Sequence, residues 1–308
     1  MLTLVVTSLA VFWMLEVLPG NAAQVILGDT ATPQALVQLQ IQLGLDKPAP
    51  LRYLDWIGHL LQGQTDTSTA YDAPTSELIL ERLKVTLPLA GMAMCITVVV
   101  AIAAGIYAAS QHHRWGDTGV MAMSQLGLSI PNFWLAILLI LIFAVKLGWF
   151  SAGGFPGWSQ ASGGGFWRSL QALFLPACAL AGVQIAILTR VTRSAVIDCM
   201  REDYVRTARA KGLSKNQVLW RHVLQNAMVP ILTILGLQLG NLITGAIIVE
   251  NVFVLPGIGR LVFQAIANRD MCVVRDVVLL LAAMVIAINF TVDVLYAMVD
   301  PRLSRRGV

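Results

Sequence analysis

The chain has 308 residues, 57% of them hydrophobic and only 12% charged, with a formal net charge of +4. At a mean hydropathy of +0.73 it holds too few polar residues to coat a water-soluble globule, so an integral membrane protein is expected.

Apolar runs of about 20 residues, enough for a hydrocarbon core roughly 30 Å thick, fall near Leu2–Leu18, Thr86–Ala109, Val120–Leu147, Leu170–Arg190, Ile231–Val249 and Val277–Val299. They predict six transmembrane helices in an all-α fold. Residues 1–18 form the first span, 19–85 a long loop, and 86–308 a core with the other five spans. The first run is the weakest, being short, interrupted by Glu16 and not preceded by basic residues. Ala22-Ala23 would suit signal cleavage, but the charged leader of a signal peptide is missing.

In the long loop, Thr32-Pro33 is a helix start followed by Leu36, Leu39 and Leu43, and a second pattern runs Leu51, Leu54, Ile57 and Leu61. Two amphipathic helices are therefore expected there. Within the third span Gln125, Ser129 and Asn132 share a face beside Pro131, and in the fifth Gln238, Asn241 and Gly245 lie within about 60° of arc. Polar groups are expensive in a bilayer, so these two faces are candidates either to line a pathway or to bond helix to helix. Gly236-x-x-x-Gly240 permits close helix approach. Asp293, one turn after Asn289, is an acid well inside the last span.

Between the fourth and fifth spans, residues 194–228 hold a charged helical hairpin. Tyr204, Val205 and Ala208 share one side of its first helix and Arg201, Glu202, Arg206 and Arg209 the other, with Glu202 placed to pair with Arg206. Lys211 suits the negative helix end, and Gly212 can adopt the left-handed conformation that closes a helix. Ser214 with Gln217 has capping-box spacing for the next helix, and Pro230 opens the following apolar run at a position where a missing N–H costs nothing.

Lys and Arg concentrate in this segment (Arg190, Arg193, Arg201, Arg206, Arg209, Lys211, Lys215, Arg221), in the tail (Arg302, Arg305, Arg306) and at Arg114 after the second span. The positive-inside rule puts those regions and both termini in the cytoplasm, and the 19–85 loop on the opposite side. Four cysteines and four histidines show neither a disulfide framework nor metal-ligand spacing.

The hairpin resembles the cytoplasmic EAA loop of ABC importer permeases in its peptide/nickel-family version, an Ala-x-x-x-Gly core followed by Asn-Ala-x-x-Pro. Those residues are Ala208, Gly212, Asn226, Ala227 and Pro230; the glutamate of other importer families falls at Arg206. The same family is resembled by Pro19-Gly20, Thr32-Pro33, Gly44 to Pro48, Tyr53, Trp56, Glu250 to Arg260 and Asp300-Pro301-Arg302. The chain departs from it at Gly63 to Ser68, where the family has Gly-Asp-Leu-Gly-x-Ser. It departs again at Arg269-Asp270-Met271-Cys272, where the family's Arg-Asp-Tyr-Pro proline is absent.

The resemblance implies the six-helix ABC importer permease fold, with an outer helical loop and a coupling hairpin that engages an ATPase through Tyr204, Arg206, Thr207, Ala208, Arg209, Lys211, Gly212, Leu213 and Ser214. It further implies a bacterial inner-membrane location, a second homologous permease as heterodimer partner, two cytoplasmic ATPases that bind ATP and Mg, and an extracytoplasmic solute-binding protein. Expected cargo is a di- or oligopeptide, with nickel, opines or oligosaccharides as alternatives. The chain itself has no Gly-x-x-x-x-Gly-Lys-Ser/Thr loop, so ATP hydrolysis must come from a partner. An ion-coupled transporter would call for paired intramembrane acids or inverted repeats, and a membrane-embedded protease or hydrolase for His-Glu-x-x-His or Gly-x-Ser-x-Gly; none is present. Helix-turn-helix binding of DNA is a poor fit for a hairpin tethered between two spans.

Overall fold

The computed structural model describes residues 2–17, 32–42, 47–160 and 163–299, most of which are helical. They divide into two compact units, Met1–Val85 with Pro256–Ile286, and Thr86–Leu255 with Ala287–Val308. Pro19-Gly20, Ala22-Ala23, Leu43, Gly44 to Asp46, Asp300-Pro301-Arg302 and the tail arginines lie outside the described residues, as does the side chain of Asp293.

In the first unit, α1 (Leu2–Val17) is apolar throughout. α2 (Pro33–Gln42) begins as its sequence predicts: the Ala35 N–H donates to Thr32 Oγ1 at 3.3 Å, and Pro33 takes the first helical position, where its missing N–H is harmless. α3 (Ala49–Leu61) corrects the expected stripe. Leu51, Leu54 and Leu61 are exposed, and the buried face is Trp56 with Ala49, Tyr53, Ile57 and Leu60, packed on Phe12 and Leu279. Both sets follow a helical period, and the aromatic stripe prevails because Trp56 and Tyr53 remove more apolar surface from water and also find polar partners. Trp56 Nε1 donates to Asp276 Oδ1 at 2.9 Å, and Tyr53 bonds Ser8.

The turn after α3 diverges from the family pattern yet is firmly tied. Ser68 Oγ and the Ala70 N–H both donate to Asp270 Oδ2, while Asp270 Oδ1 accepts from the Val273 N–H at 3.3 Å and so caps α12 (Met271–Val299). Arg275 lies over the Trp56 ring, 4.4 Å from its centroid, and pairs with Asp66. α11 (Ile258–Ala267) buries Ile258, Leu261, Val262 and Ala265 against Val273, Val274, Val277 and Ile79.

The second unit is built on α7 (Phe166–Met200), which packs against α5 (Trp115–Ser129), α6 (Asn132–Leu139) and α10 (Leu224–Val252). α4 (Thr75–Ser110) has 36 residues and α7 has 35, so each is about 50 Å long and exceeds the bilayer core. Two expectations change here. The third apolar run is not one helix: α5 and the segment Asn132–Lys146 meet at 103°, because Ile130 precedes Pro131 and is forced to an extended ψ of 118°. Pro230 does not open a helix but lies inside one. A continuous helix runs Lys215–Val252, comprising α9 (Lys215–Val218), a π-helical turn Leu219–Val223 and α10. A proline in a helix interior removes one backbone bond, a loss that packed neighbouring helices tolerate; Pro88 and Pro176 sit inside α4 and α7 in the same way.

Among the described residues four helices are long and apolar enough to cross a membrane, and five if the bent pair is counted as one span. α1, at 16 residues, is shorter. Gly236 is buried where α10 meets α12, and a Cβ there would stand 2.1 Å from Val292 Cγ1.

Candidate coupling surface and pathway

The hairpin's two faces separate as its periodicity predicts. On α8 (Asp203–Ala210), Val205 and Ala208 are buried, while Arg206, Thr207 and Arg209 are exposed. Val205 and Ala208 belong to one hydrophobic core with Ala101 and Ala109 of α4, Leu188, Val196 and Ile197 of α7, Val218 of α9, and Ala227 and Ile231 of α10. Docking is therefore a matter of apolar burial, and the basic side is left uncovered. Tyr204 is half-exposed; partial burial, with the Cys199 sulfur beside it, pushes its hydroxyl up to about 12, so it stays a neutral donor at ordinary pH. The expected Glu202–Arg206 pair is replaced by Asp203–Arg206 at 3.4 Å, a three-residue spacing equally available on a helix and, both groups being exposed, of little energetic weight.

Gly212 has φ +84° and closes α8 in a Schellman arrangement: its N–H donates to Arg209 O at 3.0 Å, and the Leu213 N–H donates to Ala208 O at 3.4 Å. Leu213 packs on the same core as Ala208, the hydrophobic contact this motif favours. Two residues after Gly212, Ser214 Oγ accepts from the Gln217 N–H, and Gln217 Oε1 accepts from the Ser214 N–H at 3.0 Å, a complete capping box. Lys211 and Ser214 are exposed at the turn.

The pathway candidates do not stay together. Gln125 and Ser129 are exposed on α5, whereas Asn132 opens α6 beyond the bend and its Nδ2 abuts Gly245 of α10. Asn241 is exposed, but Gln238 is 2% exposed and its Nε2 donates to Gln184 O of α7 at 3.0 Å. Gln238 thus joins α10 to α7. Three amide oxygens, of Asn132, Gln184 and Gln238, are buried in this unit without a hydrogen-bond partner among the described residues, each an acceptor costly to leave unmet.

Sequence reasoning overlooked a charged cluster at the base of α5. Asp117, 5% exposed, receives both forks of Arg193: Nε donates to Oδ1 and a terminal nitrogen to Oδ2 at 2.6 Å. His112 Nδ1 lies 3.3 Å from Asp117 Oδ2 and 3.2 Å from the Arg193 guanidinium, and the His113 N–H points at the same carboxylate. Deeper along the same helix pair, Arg190 donates to Gln125 Oε1 at 2.8 Å. Arg190 and Arg193 register in the sequence only as inward-marking charges; partners 65 and 76 residues away leave no local signal.

Comparison with known proteins agrees with this architecture. The chain is 40% identical over 301 residues to the glutathione transport system permease protein GsiC of Salmonella choleraesuis, covering 98% of this chain and 94% of that protein. It is 37% identical over 313 residues to the dipeptide transport system permease protein DppB of Alkalihalophilus pseudofirmus, covering 96% and 94%. Its fold resembles the MetNI methionine ABC transporter in an inward-facing conformation, with a TM-score of 0.60 at 18% identity over 73% of this chain and 97% of that one. The family described as binding-protein-dependent transport system inner membrane component matches residues 101–305, and its N-terminal companion matches 1–90. With the hairpin and helical core in place across both matches, the chain belongs to this family, the multi-pass permease subunits of ABC importers.

Proposed function

We propose that the chain forms half of the translocation pathway of an ATP-driven peptide importer. The observation that carries this reading is the division of the hairpin into a face anchored in the core of α4, α7 and α10 and an uncovered basic face of Arg206, Arg209 and Lys211. A hairpin anchored in this way moves with its helices, and its free face suits a separate protein that supplies the energy. In this reading six spans cross the inner membrane, both termini and the hairpin are cytoplasmic, and a second homologous permease completes the pathway. Two ATPases bind ATP and Mg, and an extracytoplasmic binding protein delivers the cargo. Closure of the ATPases shifts the hairpins and, through them, the balance between outward- and inward-facing packings.

Peptide cargo is supported by relatives named for dipeptide, di/tripeptide and glutathione transport, each matched over 94% of its length. Nickel, opine or oligosaccharide cargo would keep the same machinery. The test is uptake by proteoliposomes holding the assembled complex and its binding protein. Labelled di- and tripeptides should enter in an ATP-dependent way, and uptake of nickel or an oligosaccharide in preference to every peptide would refute the assignment.

A further inference from the structure

α5 and α7 run antiparallel and are tied at successive levels: Asp117 to Arg193, Gln125 to Arg190, and Gly127 to Ala186, where a Cβ on the glycine would stand 3.3 Å from the alanine's. At its far end α7 continues into α8 through only Arg201 and Glu202, with the Arg201 N–H donating to Asp198 O. Val196 and Ile197 of α7 share one core with Val205 and Ala208 of the hairpin. A displacement of the hairpin is therefore a displacement of α7. What α7 then carries along is decided by its side contacts, and the contact nearest the hairpin that fixes α5 is the Asp117 cluster.

We infer that Asp117 and Arg193 are positioning residues of the transport cycle, locking the base of α5 to α7 so that hairpin motion is delivered to the helix bearing Gln125 and Ser129. The geometry suits a register lock. Both carboxylate oxygens are engaged by a two-pronged guanidinium, which fixes direction as well as distance, and the His113 N–H and His112 ring add contacts to Oδ2. Asp117 also lies in the first turn of α5, where the helix dipole favours an anion. A buried ion pair of this kind adds little net stability against an apolar replacement but specifies one arrangement strongly. One residue before Arg193 on α7, Thr192 faces α4, where a Cβ on Gly105 would stand 2.5 Å from Thr192 Cβ, so α4 is held there by close packing and α5 by the adjoining charge pair.

This inference rests on the proposed function. Its test uses the whole complex in proteoliposomes, with peptide moved per ATP hydrolysed and ATP hydrolysis stimulated by the binding protein both measured per assembled complex. Arg193→Gln strands a buried carboxylate and risks misfolding, so the informative variants are Asp117→Asn with Arg193→Gln together, and the charge exchange Asp117→Arg with Arg193→Asp. The neutral double variant should assemble and retain stimulated hydrolysis while peptide moved per ATP falls about tenfold. The exchange should restore at least part of that ratio. The inference is overturned if the neutral double variant keeps the wild-type ratio, if the exchange is no better than the neutral pair, or if neither double variant assembles, which would make the pair purely structural. A wild-type complex whose hydrolysis does not respond to the binding protein would refute the proposed function itself.

Discussion

Replacing Gly212 by valine isolates the backbone contribution to the hairpin. Gly212 has φ +84°, and no atom lies within 4 Å of where a Cβ would stand, so the substitution meets no steric wall. The whole cost is conformational: a β-branched residue held at positive φ is strained by about 1–3 kcal/mol. That strain reduces the population of the closed turn by roughly 5- to 150-fold relative to its alternatives. The chain relieves it by opening the turn, which gives up the Gly212–Arg209 and Leu213–Ala208 bonds and withdraws Leu213 from the core. Gly212→Asn, which tolerates the left-handed region, should cost much less. Because Gly212 is outside the long apolar stretches, the valine variant should still insert and pair with its partner permease. In reconstituted membranes it should lose ATPase binding or binding-protein-stimulated hydrolysis, with the asparagine variant close to wild type. Ala208→Asp should act in the same sense, since it puts a charge at a buried site among apolar neighbours. Wild-type transport and stimulated hydrolysis in both Gly212→Val and Ala208→Asp would remove the hairpin from the coupling route.

Three further outcomes are expected. Single cysteines at Gln64 or Gln160 should react with a membrane-impermeant reagent in intact cells and one at Asn216 only after permeabilisation; external labelling at Asn216 would invert the topology. Gly236→Ala should lower the yield of folded protein, because its Cβ would stand 2.1 Å from Val292 Cγ1, and Val292→Ala should recover part of the loss; an unchanged thermal transition would show that α10 and α12 do not approach this closely. Gln238→Leu, which removes the bond to Gln184 O, should destabilise the assembled complex by about 0.6 kcal/mol, whereas the exposed Asn241→Leu should change transport at constant assembly. The reverse pattern would return Gln238 to the pathway and make Asn241 a contact.

The parts of this fold that sequence rules reach are those whose partners lie within one or two turns. Thr32-Pro33 at the start of α2, the Gly212 turn and the Ser214–Gln217 box all formed as their local chemistry requires, because each involves donors and acceptors fewer than six residues apart. The α3 stripe failed for a physical reason of a different kind. Apolar residues cover more of that helix than its core buries, so Leu51, Leu54 and Leu61 fit a helical period as well as Tyr53, Trp56 and Leu60 do. Only the partner surface, Phe12 and Leu279, decides between them. In the third apolar run hydropathy was continuous, and the break rested on a single Ile130-Pro131 step that a window average smooths away.

The same distinction separates the two halves of the mechanism. The surface proposed to meet an ATPase is a local object, written in the consecutive residues Asp203 to Gln217, whose helix, turn and cap obey rules of short range. Transmission from that surface is not local. On the proposed route it runs through Arg193 reaching Asp117 across 76 residues, Arg190 reaching Gln125 across 65, and Gln238 reaching Gln184 across 54. All three contacts converge on α7, which holds the acceptor or donor in each. A helix so placed has little freedom to move without carrying α5 and α10 along, and in a packed core such displacements occur between discrete arrangements rather than by gradual deformation. Substitutions in the hairpin should therefore act on engagement with the ATPase. Substitutions at the polar contacts that tie α7 to α5, Asp117–Arg193 and Gln125–Arg190, should leave engagement intact and alter how much movement reaches the pathway.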